Sequence, residues 1–360
     1  MPVKNYVLIG IGILCVIYMF IYLDLNKKIY ETPGEKVLKS GNPDIQEKPK
    51  EVEKIVEKVV EVKKRKDKYN VTVVALANEI GEAYCFNFAS ILLHGYQLYV
   101  YGPEHFPKAV SNEDNQRHKQ RAYLDFCSQK RGEEDVVVFS DIKDVAFVRE
   151  SKELVDHFYL MSGRLHKRVI FGAEKELHPF KNANIWNCEE FDKEKALKHY
   201  NRLLPNDHIR DKYLNSGLFM GEFEPVCDFI QSSNFKREIL SKQGCTEEQA
   251  TCVITFFENS RWVGLDYYSE LFYNSFGTRE MLDYSVKDGI PIVINTEANT
   301  SQNRPFVLHG NGGSGGDHEI RKIWRLPKEK FKDATLVYDK KTVKYFDLCK
   351  EDYPFWKDKV

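Results

Sequence analysis

Apolar and polar positions divide the chain into three regimes. From Tyr6 to Leu23 nearly every residue is apolar and none is charged. A helix that crosses a bilayer needs about 17–25 such residues, so this run is long enough to span. A cleaved signal peptide is the rival, but its apolar stretch usually covers about 7–15 residues and closes on small side chains. Here the run closes on Phe20, Ile21, Tyr22 and Leu23. That favours an uncleaved transmembrane signal anchor over 6–23, with a short cytoplasmic tail over 1–5. Lys4 on one side nearly balances Asp24, Lys27 and Lys28 on the other, so charge alone does not orient the span.

Residues 24–68 are polar and carry Pro33, Pro43 and Pro49, the pattern of a stem. Within it Val52, Ile55, Val59 and Val62 recur at steps of three and four. This makes two short heptads, compatible with a homodimer held through the stem or with a solvated charged spacer.

From 69 to 360 the pattern is that of one globular α/β domain. Asn70–Ala77 and Asp135–Ser140 are β-branched runs that fit buried strands. A helical stretch over Glu79–His94, a strand over Tyr96–Tyr101 and a polar helix through Gln120–Gln129 lie between them. Further strands are expected at Arg168–Phe171, Gly217–Met220, Pro291–Asn295 and Phe306–His309. Alternating strands and helices predict a mostly parallel sheet with ligands beyond the carboxyl ends of its strands.

Composition narrows the classes. With 53 basic and 54 acidic residues there is no global basic field, and nucleic acid is not expected as a partner. Eight cysteines are present and none forms a C-x-x-C pair, which gives no support to a zinc ribbon or thioredoxin-type site. Seven of them follow the apolar run, so at least one is left without an intrachain partner. Spacing alone does not fix the pairing.

The strongest chemical signal is Phe139-Ser140-Asp141-Ile142-Lys143-Asp144. A buried strand delivers two carboxylates at its carboxyl end, and two hard oxygen donors three residues apart can share Mg²⁺ or Mn²⁺. An Asp after a strand is also common as a turn or cap residue. Downstream, Phe306-Val307-Leu308-His309 runs into Gly310-Asn311-Gly312-Gly313. The imidazole of His309 is a metal-ligand type, and the glycines let backbone amides approach phosphate; a flexible turn is the plainer reading. In Tyr213–Gly221 the trio Asn215-Ser216-Gly217 interrupts an apolar run. It suits either hydrogen bonds to a sugar or a turn between two strands.

These pieces, in this order, resemble the glycosyltransferase domain of procollagen lysyl hydroxylases and, more loosely, the collagen galactosyltransferases. The matching motifs are Asp141 with Asp144, Ala173-Glu174 with Pro179, and Asn215-Ser216-Gly217 with Gly221. Glu247-Glu248-Gln249 and His309-Gly310-Asn311-Gly312 complete the series. The resemblance implies a nucleotide-sugar-binding fold of the GT-A type. It implies Asp141, Asp144 and His309 as ligands of Mn²⁺ (or Mg²⁺), and Lys119 beside the diphosphate of a UDP-sugar donor. Asn311 and Gly312 would line the donor phosphates. Glu247 and Glu248, with Asn215, would form the catalytic group near the donor sugar. Lys143 stands where the family carries an aromatic facing the nucleotide base, and glutamates stand where its acidic run is usually Asp-rich.

The implied reaction moves a hexose from a UDP-sugar to a hydroxyl of a glycan or of hydroxylysine in a collagen-like acceptor. The departures leave room for an inactive relative that binds glycan or collagen as a receptor or chaperone. A phosphohydrolase of the Asp-nucleophile kind would need D-x-D rather than the D-x-x-D found here. After His309 no His-x-Asp…His iron pattern appears, so lysyl hydroxylation is not expected. The expected setting is a single-pass type II membrane protein of the Golgi or endoplasmic reticulum, with the domain luminal. Asn70-Val71-Thr72 and Asn299-Thr300-Ser301 are candidate glycan sequons.

Overall fold

A computed structural model describes residues 70–130, 135–178, 193–204, 209–243, 247–276, 282–287, 290–295, 304–313 and 316–356. The expected anchor, stem, Asn299 sequon and Pro179 lie outside the described residues. Among the described residues no helix is long and apolar enough to cross a membrane.

The chain opens with β1 (Val71–Leu76), α1 (Glu82–Leu93), β2 (Gln97–Tyr101), α2 (Asn112–Gln129) and β3 (Val136–Ser140). Then come β4 (Val145–Phe147), α3 (Ser151–Leu165), β5 (Val169–Glu174), α4 (Lys193–Leu203) and β6 (Tyr213–Glu222). Next are α5 (Phe223–Ser241), α6 (Glu248–Asn259), β7 (Val263–Asp266) and β8 (Phe272–Asn274). The hairpin β9 (Leu282–Lys287) and β10 (Ile290–Asn295) precedes β11 (Val307–His309) and α7 (Gly316–Ile323). The last elements are β12 (Thr335–Tyr338), β13 (Lys341–Lys344) and α8 (Tyr345–Leu348).

Eight strands form one sheet in the order β13-β12-β2-β1-β3-β6-β5-β7. The pairs β12–β2, β2–β1, β1–β3 and β5–β7 are parallel. β6 runs antiparallel to both β3 and β5. The α/β expectation holds, with this reversal inside the sheet. Because β6 is reversed, its amino-terminal half lies beside the carboxyl ends of β3 and β5. The trio Asn215-Ser216-Gly217 is therefore neither a turn nor a gap between strands; it lies within one ten-residue strand.

Side chains alternate across the sheet, as a pleated strand requires. Val71, Val73, Ala75, Val136 and Val138 join a core with α1 and α3. Val74, Val137 and Phe139 join a second core with α2, α5 and α6. Phe171 and Phe219 stack with ring centroids 4.4 Å apart in that second layer.

Two helix starts differ from the sequence expectation, and the strands expected at Gly217–Met220 and Arg168–Phe171 run over Tyr213–Glu222 and Val169–Glu174. α1 starts at Glu82 rather than Glu79, after Gly81 in an extended conformation. α2 starts at Asn112, well before Gln120, because Ser111 Oγ caps it by accepting from the Asp114 amide at 3.1 Å. A small sheet, β4-β11-β8, was only partly anticipated, through Phe306–His309. Its register sets His309 opposite Val145 on one side and Asn274 on the other.

The hairpin β12–β13 turns through Asp339 and Lys340, both at positive φ, the conformation a two-residue type I′ turn requires. The buried Asp339 carboxylate then accepts from the amides of Gly102 at 2.7 Å and Glu104 at 3.0 Å, tying this edge to the loop after β2. Disulfides join Cys85 to Cys349 and Cys127 to Cys227, which points to folding in an oxidising compartment such as the secretory lumen. Among the described cysteines, Cys252 is a buried free thiol.

Candidate functional site

A cleft of about 580 Å³ opens at the carboxyl ends of β3 and β5. Asp141 follows β3 directly, and its amide donates to the Gly217 carbonyl at 2.7 Å across the sheet. Asp144 follows one turn later, and its carbonyl accepts from the Gly310 amide at 2.7 Å. That bond fixes the loop after β11 against the loop after β3. His309 ends β11, buried at 2% exposure. Its Nε2 lies 3.7 Å from Asp141 Oδ2 and 3.7 Å from Asp144 Oδ1. One ligand atom from each of the three residues lies within 4.8 Å of the others.

The donor set passes two tests for a small hard divalent ion. Two ligands at about 2.1 Å from one ion stand at most about 4.2 Å apart, which accommodates the imidazole–carboxylate spacings. The imidazole also presents the right edge. Asn274 Nδ2 donates to the Ala173 carbonyl at 2.8 Å, which turns Asn274 Oδ1 towards His309 Nδ1 at 2.8 Å. Nδ1 thus donates to Asn274, and the Nε2 edge of the ring faces the carboxylates, the outer-partner arrangement that orients a metal-binding histidine.

Gly217 makes room for this convergence. A Cβ there would lie 2.3 Å from His309 Cε1, 2.7 Å from Asp141 Oδ2 and 3.0 Å from Asn215 Oδ1. Gly312, at φ +63, packs against Phe276, whose ring would be 2.5 Å from an added Cβ. Neither position accepts a side chain without displacing the site.

Beside the trio, Lys119 reaches in from α2. Its Nζ is 3.0 Å from Asp141 Oδ1 and 3.0 Å from Glu248 Oε2. Burial alone would lower the ammonium's pKa; Asp141 and Glu248 outweigh it and hold the group charged. Glu248 also accepts from Ser216 Oγ at 3.1 Å. Glu247 caps α6 by accepting from the Ala250 amide at 2.7 Å. Burial pushes Glu247 up to about 7.

The floor of the cleft is organised by Glu174, which the sequence quoted within a motif but assigned no role. Its carboxylate is 4% exposed and accepts from Asn215 Nδ2 at 3.0 Å, Gln249 Nε2 at 2.6 Å and Asn311 Nδ2 at 2.7 Å. Burial pushes Glu174 up to about 8 despite these three donors. Asn215 and Asn311 are thereby held in fixed orientations; Asn215 Oδ1 also accepts from the Gly217 amide at 2.9 Å. Gln249 Oε1 accepts from the Ser216 amide at 3.2 Å.

The structure thus gathers Lys119, Asp141, Asp144, Asn215, Glu247, Glu248, His309, Asn311 and Gly312 around one cleft. Lys143 is the exception: it is exposed and lines a smaller adjoining cavity. Asn274 carried no signal in the sequence, since its strand β8 was not anticipated. Gln249 and Glu174 were visible only as members of motifs.

An α/β sheet with two carboxylates, an imidazole and a glycine turn at its strand ends fits a glycosyltransferase-type domain. The family model described as the PLOD GT domain matches residues 67–317, and the chain belongs to that family. No curated protein matches the chain.

Proposed function

We propose that this protein is a metal-dependent glycosyltransferase that moves a hexose from a UDP-sugar to a hydroxyl of a glycan or collagen-like acceptor. The observation that carries the reading is the convergence of Asp141, Asp144 and His309 on one point, with His309 Nε2 facing the two carboxylates. In this reading the three residues hold Mn²⁺ or Mg²⁺. When bound, that ion supplies Lewis acidity to the donor diphosphate as the sugar–phosphate bond breaks.

The chain's own residues do the rest. Lys119, held charged between Asp141 and Glu248, adds positive potential at the diphosphate. Asn311 and Gly312, which line the same cleft, face the phosphates. Glu174 holds Asn215 and Asn311 in place, and Glu248 presents an acceptor to sugar hydroxyls. Glu247, whose carboxyl burial pushes up to about 7, is in its ionised form suited to take the proton of an acceptor hydroxyl.

The domain plan follows from the sequence: a cytoplasmic tail over 1–5, an anchor over 6–23, a stem over 24–68 and a luminal domain over 69–360. The two disulfides support a luminal home in a type II membrane protein of the endoplasmic reticulum or Golgi. The test is a screen of UDP-sugars with and without Mn²⁺. Turnover that requires Mn²⁺ and disappears in Asp141→Ala is expected. Tight binding of a glycan or collagen-like acceptor, with no turnover of any UDP-sugar, would instead identify a receptor or chaperone.

A further inference from the structure

α6 begins at the cleft, with Glu247 as its cap and Glu248 as its first residue. A helix start leaves amides that have no partner within the helix. Glu247 Oε2 takes the Ala250 amide at 2.7 Å. The Glu248 amide goes to another helix and donates to Gln116 Oε1 of α2 at 3.2 Å. The other end of the same side chain meets the capping carboxylate, with Gln116 Nε2 donating to Glu247 Oε1 at 3.4 Å. An amide side chain carries an acceptor and two donors, so Gln116 holds both groups at once; a carboxylate or an ammonium there could hold only one. Both oxygens of Glu247 are thereby partnered, one by its own helix and one by α2.

α2 is a firm support for this clasp. Gln116 and Lys119, three residues apart, share one face of the helix, and Lys119 Nζ reaches Glu248 Oε2 at 3.0 Å. Arg237 of α5 donates to Gln120 Oε1 at 2.9 Å and to the Glu113 carbonyl at 3.4 Å, which ties α2 to α5 as well. Gln116 itself is half-buried and lines the cleft.

We propose that Gln116 is a positioning residue of the reaction, fixing the Glu247 carboxylate at the cleft for removal of the acceptor's proton. This rests on the reading of Glu247 given above. A donor to a carboxylate favours its charged form, the form that accepts a proton. Burial raises Glu247; the Ala250 amide, Lys119 and Gln116 act against it, whereas Glu248 acts with it. Glu174 of β5 also feels the Glu247 charge, and Glu176 and His178 line the same cleft. Loss of the Gln116 donor therefore leaves less of Glu247 ionised at a given pH and frees its carboxylate to turn.

The test records kcat against pH for Mn²⁺-dependent UDP-sugar turnover by the full-length chain, in wild type, Gln116→Ala and Gln116→Glu. Turnover needs Glu247 ionised, so it rises with pH along an acid limb. Gln116→Ala is expected to lower kcat by about tenfold, part of the roughly 100–10,000-fold that a placed base contributes, with the acid limb moved to higher pH. Its KM for the donor should stay within about twofold of wild type. Gln116→Glu keeps an oxygen for the Glu248 amide but sets a second carboxylate against Glu247, so its limb should lie higher still. That variant carries the test if Gln116→Ala loses its cooperative melt. A wild-type profile in both variants overturns the proposal. So does an equal loss of rate at every pH with the limb unmoved, the result of a purely structural role. Glu247→Gln with wild-type turnover, or wild-type protein that turns over no UDP-sugar, overturns the reading of the site itself and the proposal with it, a result distinct from the other two.

Discussion

Substituting Gly217 by alanine tests the geometry of the candidate metal site with a single methyl group. The new Cβ would stand 2.3 Å from His309 Cε1, whereas ordinary contact begins near 3.4 Å, so imidazole or strand must retreat by about 1 Å. Asp141 Oδ2, at 2.7 Å, must move as well. Misplacement of about 1 Å can reduce a rate by about 100-fold, and it acts here on two of the three candidate ligands. The cost to the fold is smaller. Gly217 is not at positive φ, so alanine imposes no backbone strain, and overpacking costs about 1–3 kcal/mol. The assay pairs Mn²⁺ titration with UDP-sugar turnover and a thermal melt. Gly217→Ala should stay folded, lose Mn²⁺ affinity and drop in turnover by about 100-fold. Gly81→Ala, where nothing lies within 4 Å of the added Cβ, serves as the control. Wild-type Mn²⁺ affinity and turnover in Gly217→Ala would refute the convergence.

Three further outcomes follow from the same structure. Asn274→Ala removes the acceptor that fixes the His309 tautomer, and Mn²⁺ affinity should fall about 10–100-fold; Asn274→Asp, which keeps an acceptor oxygen, should retain more. Glu174, pushed up to about 8 by burial, makes the folded chain hold an extra proton between the ordinary carboxylate value and 8. Its contribution to stability is therefore fully present below the ordinary value and is lost as pH rises towards 8. With metal chelated, the Tm of wild type should fall more from acidic to mildly alkaline pH than that of Glu174→Gln, and equal slopes would contradict this. The Cys85–Cys349 bridge spans 264 residues, so Cys85→Ser with Cys349→Ser should lower stability by roughly 2–5 kcal/mol in denaturant unfolding.

The buried strands β1, β3 and β5 were legible because continuous β-branched runs have few other uses. The Asp141–Asp144 pair was legible for the same reason, since it follows such a run. β6 was harder. Asn215, Ser216 and Gly217 look like a turn by composition, and only the reversed strand explains them: each faces a partner on β3, β5 or α6. Gly217 is needed for the approach of His309, not for a bend. Glu174 escaped notice because its role depends on amides from three distant segments, Asn215, Gln249 and Asn311. Asn274 escaped because a three-residue strand leaves almost no periodic signal. The disulfide partners, 264 and 100 residues apart, were likewise beyond what spacing can specify.

The central claim is that Asp141, Asp144 and His309 jointly hold a divalent ion at the diphosphate of a sugar nucleotide. A crystal grown with Mn²⁺ and UDP and measured for anomalous scattering at the manganese edge addresses it directly. One anomalous peak is predicted within bonding distance of all three side chains, with diphosphate oxygens on its open side. A peak elsewhere on the protein, or diphosphate density away from these residues, would contradict the account.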